Sequence, residues 1–454
     1  MKYTTRTCLA MLLAMPLPVA ADSVAFEAEP DAKTVKLTLD AGLDATVHWA
    51  DGTAEKVHFD GNLQELRLVS PSFSIETSGH ISYVVCPDNP LTSINLNGAP
   101  YVKGVYAQNC RLKSFTPGLA TNLEVLHLSG NTGIKEAMDD MQLSALTFLG
   151  VADCGLTQLP DGKAMPCLKG LWAWDNGLTA ADIAGATDCE HVYLQNNKLK
   201  TLTAPHALKT LRASGNRLQT LNLQDCDSLE TLDVSDNGLR TLTTSTACAS
   251  SLRHLYVDNN SLVYSDMPTL TDDKGDFYVQ SLALAGQKAI LIPSVLAENA
   301  MVSIAIHISN NQWGKELAPE VVWTDKEGNR LTEGTDYVEV GDYRYAFLTA
   351  QEAVKANITC AEYPGMALTT TEMRVPVPAT AIGSVDADEE CPTVMATGNR
   401  LTVTTSKPME VTICSVNGNT LHSGLLDGQW SRQLPAGIYV VNNRKIIIGS
   451  RLTD

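Results

Sequence analysis

Beyond its first twenty residues the chain has no continuous apolar run approaching the roughly 18 residues that a membrane-spanning helix requires. Basic residues are also scarce. Lys and Arg number 33 against 51 Asp and Glu, a net charge of −18. So acidic a chain repels phosphate backbones and anionic bilayers, which excludes nucleic acid and membrane surfaces as expected partners. The 11 cysteines never pair as CxxC, so neither a zinc module nor a dense disulfide scaffold is expected. HExxH, GxSxG, SxxK and the P-loop are missing, as is GxGxxG in context. No cofactor or metal is expected, and the chain does not read as an enzyme.

What is present begins with a leader. "MKYTTRTCLAMLLAMPLPVAAD" places Lys2 and Arg6 before the apolar run Cys8–Leu17, with small residues at Val19 and Ala21. Residues 1–21 read as a secretory signal, and Asp22 as the first mature residue. Ten cysteines then remain. Most fall at apolar positions of the repeat below and read as buried thiols. At 454 residues the chain is too long for one ordinary core, so several domains or an elongated repeat are expected.

The middle of the chain is a repeat. LxxLxLxxNxL fits "LKTLRASGNRL" (208–218), "LETLDVSDNGL" (229–239) and "LRHLYVDNNSL" (252–262) closely. It fits "ISYVVCPDNPL", "VKGVYAQNCRL", "LEVLHLSGN", "LTFLGVADCGL", "LKGLWAWDNGL" and "CEHVYLQNNKL" more loosely. The Asn-or-Cys position falls at 89, 110, 131, 154, 176, 197, 216, 237 and 260. A degenerate turn is expected at "LQELRLVSPSF" (63–73).

These motifs resemble the leucine-rich repeat family. The resemblance implies a solenoid of about nine turns whose short strands pair into one parallel sheet and merge their leucines into a continuous core. The repeated Asn sits where the chain bends off the strand, and there its amide can bond backbone groups that the sheet cannot reach. The spacing from each Asn to the next strand is too short for full helices, so the back of the solenoid should be extended or tightly turned. "GIKEAMDDMQLS" (133–144) is the exception, read as a pair of helical turns.

The reading is mainly β. Residues 22–61 form an N-terminal β cap with a hairpin turn at Asp51–Gly52, and 62–268 the leucine-rich repeat domain. Residues 269–381, from "YVQSLALA" onward, give about seven strand-like runs and read as an Ig-like β-sandwich. An acidic linker at 380–392 leads into the last domain, 382–454. Asn417, Gly418, Leu434, Pro435, Gly437, Ile438, Tyr439 and Lys445 there resemble the C-terminal sorting domain of proteins exported by type IX secretion. That resemblance implies a small β-sandwich, the outer-membrane secretion machinery as a partner, and a secreted or cell-surface location in a Gram-negative bacterium.

Side chains alternate along a strand, so residues between the inward leucines face the concave surface. The middle column reads Val85, Tyr106, His127, Gly150, Trp172, Tyr193, Arg212, Asp233 and Tyr256. The flanks include Phe148, His191 and His254 on one side and Gln108, Trp174, Gln195, Ser214 and Asp258 on the other. Trp172 and Trp174 should lie about 7 Å apart, and Trp172 and Tyr193 about 5 Å apart. They form one aromatic patch with Phe148 and His191. Arg212, Asp233, His254, Tyr256 and Asp258 form a polar patch. Ser235, His254 and an Asp are adjacent on such a sheet, but an open surface without an oxyanion hole argues against a triad.

Contiguous exposed aromatics mark interaction surfaces. The expected ligand is a protein or peptide, the partner class the family resemblance implies. A glycan stacked on the same rings is the alternative. A neighbouring domain covering the patch would make it an internal contact instead.

Overall fold

The computed structural model describes residues 21–118, 121–134, 143–272, 274–297, 300–376, 392–397, 400–415, 419–435, 437–442 and 444–448. Residues 1–20 of the expected signal segment 1–21, most of the helical turns expected at 133–144, nearly all of the expected 380–392 linker and the expected Asn417–Gly418 turn lie outside them. The chain divides into two compact units, residues 1–218 with 225–234, and 219–224 with 235–454.

In the first unit each repeat contributes a three-residue strand: β1 (Tyr83–Val85), β2 (Gly104–Tyr106), β3 (Val125–His127), β4 (Phe148–Gly150), β5 (Gly170–Trp172), β6 (His191–Tyr193), β7 (Thr210–Arg212) and β8 (Thr231–Asp233). They pair in parallel and strictly in register, so that Val85, Tyr106, His127, Gly150, Trp172, Tyr193, Arg212 and Asp233 form one row. The central residue of every strand, from Val84 to Leu232, is fully buried. A strand this short cannot stand alone. It is held by the leucines it adds to the shared core. The back of the solenoid is extended or tightly turned, as the spacing predicts. It shows a 3₁₀ turn at Gly162–Ala164 and a short parallel pair, Ala180–Asp182 with Thr201–Thr203.

The asparagines act between turns as well as within one. Asn131 Oδ1 accepts from the backbone N–H of Cys110 (3.0 Å) and Leu112 (2.9 Å), both of the preceding turn. Its Nδ2 donates to the carbonyls of Ala107 (2.8 Å) and Leu128 (2.6 Å). Asn176, Asn197 and Asn216 repeat the arrangement. Where Cys replaces Asn the thiol takes over the donor role. Cys110 Sγ donates to Cys86 O at 2.7 Å, and Cys154 Sγ to Leu128 O at 3.2 Å.

A second ladder runs one residue earlier. The nine residues preceding the repeated Asn or Cys (88, 109, 130, 153, 175, 196, 215, 236 and 259) all have positive φ, between 49° and 80°. Only Asp, Asn and Gly occupy them, the residues that tolerate the left-handed region.

The solenoid's first turn is capped by a sheet that is antiparallel except where Ser114–Thr116 pairs in parallel with Leu91–Gly98. Its strand order is Ser114–Thr116, Leu91–Gly98, Asp22–Ala28, Ser72–Thr77, Leu43–Trp49 and Ala54–Phe59. Phe26 stacks on Phe73 at 5.0 Å, and Trp49 packs against the same ring. Asn89 ties cap to solenoid: its Oδ1 accepts from Lys36 N and its Nδ2 donates to Lys36 O, each at 2.6 Å. Residues 63–73 are not a further solenoid turn. Gln64–Arg67 pairs antiparallel with Thr34–Leu37, and Ser72–Thr77 lies inside the cap sheet. The apolar spacing is that of a repeat, but the stretch has no Asn to close the bend, and the cap supplies antiparallel partners.

In the second unit β9 (His254–Tyr256) pairs in parallel with β10 (Ser281–Ala283). "YVQSLALA" therefore belongs to a further solenoid turn and not to a sandwich. Gln287 replaces the Asn: its Oε1 accepts from Leu262 N at 2.9 Å and its Nε2 donates to Val257 O at 2.9 Å. Next come two antiparallel sheets. One holds Val302–Ser303, Tyr337–Glu339 and Arg344–Phe347. The other holds Glu320–Asp325, Gln351–Thr359, Leu368–Thr369 and Met373–Val375. Fully buried Trp323 of the second packs edge-on against Tyr345 and Phe347 of the first, at 5.4 and 5.0 Å. The last sheets, one of three strands and one of four, enclose Leu401, Val403, Val411, Ile413, Leu426, Leu434, Tyr439 and Val441. The Tyr439 hydroxyl donates to Pro435 O at 2.8 Å.

Candidate binding surface

Parallel pairing in register converts the variable positions of successive repeats into rows, and this assembles the aromatic cluster. Trp172 ends β5, and Trp174 follows across Ala173, which is fully buried. The indoles thus share a face, with ring centroids 5.5 Å apart. Tyr193, the register partner of Trp172, lies 6.3 Å from Trp172 and 6.4 Å from Trp174, nearly perpendicular to both. Phe148 stands edge-on to Trp172 at 4.9 Å and 86°. His127, two strands from Trp172, reaches it at 5.7 Å and Phe148 at 5.6 Å. None of the five side chains is fully exposed; each is half-buried against the others.

One side-chain-free position lets the rings close. A Cβ on Gly150 would lie 2.5 Å from His127 Cδ2, whereas one on Gly170 would make ordinary contact with Phe148 Cδ2 at 3.4 Å. Gly150 reads as an unremarkable member of its column, yet it is the notch over which His127 leans. Tyr106 adjoins His127 in the same row. His191 flanks the cluster but is exposed, and lies 3.8 Å from Glu190 Oε2, which also bonds Lys209 Nζ at 2.9 Å.

His127 is more than a filler. Gln108 Nε2 lies 2.6 Å from its Nδ1, and burial pushes its pKa below the usual imidazole value. Burial disfavours the cation and holds the ring toward its neutral form.

A pocket of about 500 Å³ opens beside the rings, lined by Trp172, Trp174, Tyr193, Gln195, Asn196 and Ser214. The last three complete the site with hydrogen-bonding groups. Gln195 and Ser214 stand in the predicted flank column next to Trp174, and that adjacency was their signal. Asn196 lies on the bend, where strand alternation gives no orientation.

The residues expected in the polar patch are divided between the two units. In the first, Arg212 is exposed and is the register partner of Asp233. In the second, His254 and Tyr256 lie on β9, and Asp258 Oδ2 accepts from Asn259 Nδ2 at 3.3 Å. Among the described residues, no group of three or more His, Cys, Asp or Glu is placed to hold a metal ion. Among the same residues, no helix is long and apolar enough to cross a membrane.

No family model matches the chain, and no curated protein matches it. Similar solved structures include YopM from Yersinia enterocolitica, 26% identical over 36% of this chain and 34% of that one, TM-score 0.32. YopM from Yersinia pestis, described as a leucine-rich effector protein, is 24% identical over 42% of this chain and 60% of that one, TM-score 0.32. The functional domain of InlJ from Listeria monocytogenes, described as including a cysteine ladder, is 15% identical over 63% and 69%, TM-score 0.34. The chain spans about a third and three fifths of the two Yersinia structures.

Proposed function

We propose that this chain is an exported binding protein that offers the concave sheet of its solenoid to a protein partner, with Trp172, Trp174 and Tyr193 as anchors. One observation carries the reading: five aromatic rings from four adjacent strands touch in an unbroken network on one face of the sheet. Such rings bury much area at little cost in side-chain entropy, and Trp and Tyr dominate interface hot spots. Arg212 and Asp233, register partners on the same unit, supply orienting polar contacts. His127 and Phe148 pack beside Trp172 on the same face, and Tyr106 adjoins His127 in the same row.

The leader at residues 1–21 and the C-terminal β unit fit delivery to the cell surface or medium. The test is capture of partners from surface extracts by the immobilised full chain, against a Trp172→Ala/Trp174→Ala variant of equal thermal stability. Partners retained by the parent chain and lost by the variant support the reading. Identical capture by both rejects it.

A further inference from the structure

We propose that the pocket beside Trp174 is a sugar-binding subsite, so that the determinant read on the partner is a neutral oligosaccharide. This rests on the reading of the concave face as a binding surface and names what its anchor takes. The pocket volume, about 500 Å³, lies within the range of about 300–1,000 Å³ found for small-ligand sites. Its aromatic side is formed by Trp174 and Tyr193 at 76° and Trp172 and Tyr193 at 87°. This is a corner of flat apolar faces with polar edges, against which the C–H face of a hexose packs.

The polar side decides the ligand. Gln195 Oε1 is buried and has no hydrogen-bond partner among the described residues. As placed, the amide leaves one acceptor unmet by the folded chain. An apolar side chain filling the pocket would leave it stranded. A hydroxyl meets it as a donor and keeps its oxygen to accept from a neighbouring group. Ser214 adds a hydroxyl of the same dual character on the adjoining strand. Asn196 contributes less as a donor, since its Nδ2 is already given to Asp175 Oδ1 at 2.8 Å. A set of one amide end and one hydroxyl suits a ring of hydroxyls better than the fixed alternation of N–H and C=O in a peptide strand. Two residues before Ser214, exposed Arg212 presents a planar fork that can span vicinal hydroxyls. The net charge of −18 disfavours sulfated and uronic polymers, which leaves neutral sugars.

The test uses the full chain on an array of neutral, sialylated and sulfated oligosaccharides, followed by calorimetric titration of the strongest binder. Neutral glycans should be retained. Trp174→Ala and, separately, Gln195→Ala should each weaken that binding at least about tenfold at unchanged melting temperature. Ser214→Ala, a small surface change, should weaken it severalfold and guards against misfolding of the tryptophan variant. Retention of no neutral glycan, or of anionic glycans alone, overturns the inference, as does equal affinity in the Trp174→Ala and Gln195→Ala variants. A peptide display library run on the same protein separates the two readings. Peptides captured in a Trp174-dependent way with a blank array would reject the sugar and leave the binding surface standing.

Discussion

The indole of Trp172 meets the ring of Phe148 edge-on at 4.9 Å, and His127 closes on both rings across Gly150. The cluster therefore depends on a missing side chain as much as on the rings. Gly150→Ala places a Cβ 2.5 Å from His127 Cδ2, in a ring already packed against Phe148 and Trp172. The substitution should cost about 1–2 kcal/mol in denaturant unfolding and shift tryptophan emission. An unchanged midpoint and spectrum would show that the notch is not needed.

Asn131 is fully buried and serves four backbone groups. Asn131→Ala strands them and should cost about 3 kcal/mol or more. Cys110 replaces only the donor function, through its bond to Cys86 O, so Cys110→Ala should cost about 1 kcal/mol. Urea unfolding of the two variants checks this order. A reversal would place the stabilisation in packing rather than in hydrogen bonds.

Gly130 has φ of 80°, and a Cβ there would fall 1.9 Å from Asn109 Oδ1. Gly130→Ala should cost about 2–3 kcal/mol, from left-handed strain and this clash together. Adding Asn109→Ala removes the clash and should recover part of the loss. Simple additivity in the double-mutant cycle would show that the two residues do not interact.

Much of this was legible in the sequence because a solenoid turns one-dimensional spacing into three-dimensional rows. The inward leucines, the bends at Asn, the shared face of Trp172 and Trp174, and the pairing of Trp172 with Tyr193 all follow from register alone. The predicted separations of about 7 and 5 Å compare with ring centroids 5.5 and 6.3 Å apart, because side chains lean where backbones do not. What was missed depends on atoms that spacing does not weigh. Gln287 supplies the Asn contacts with one more methylene, so the turn after residue 262 read as a sandwich strand. Residues 63–73 have repeat spacing but find antiparallel partners in the cap. Gly150 matters through the rings of other strands, and Gln195 through a bond it does not make.

Asp266 is a pH probe of the second unit. Burial raises its carboxyl from 3.8 to about 6, although Oδ2 accepts from Val263 N. A raised folded-state value means that the protonated form is the one favoured on folding. The associated stability is fully present below pH 3.8 and is lost as pH rises through about 6. Asp266→Asn keeps the acceptor without the charge. It should flatten the pH dependence between 4 and 7 and raise the unfolding midpoint at pH 7. An equally steep profile in the variant would assign the slope to other groups.

The most direct measurement is the affinity of the full chain for a captured partner before and after Trp172→Ala/Trp174→Ala, with melting temperature and circular dichroism recorded on the same samples. A loss of at least about 100-fold in Kd is expected, the effect of removing two hot-spot aromatics, with the fold intact. An affinity within about twofold of the parent chain, in a folded variant, would contradict it.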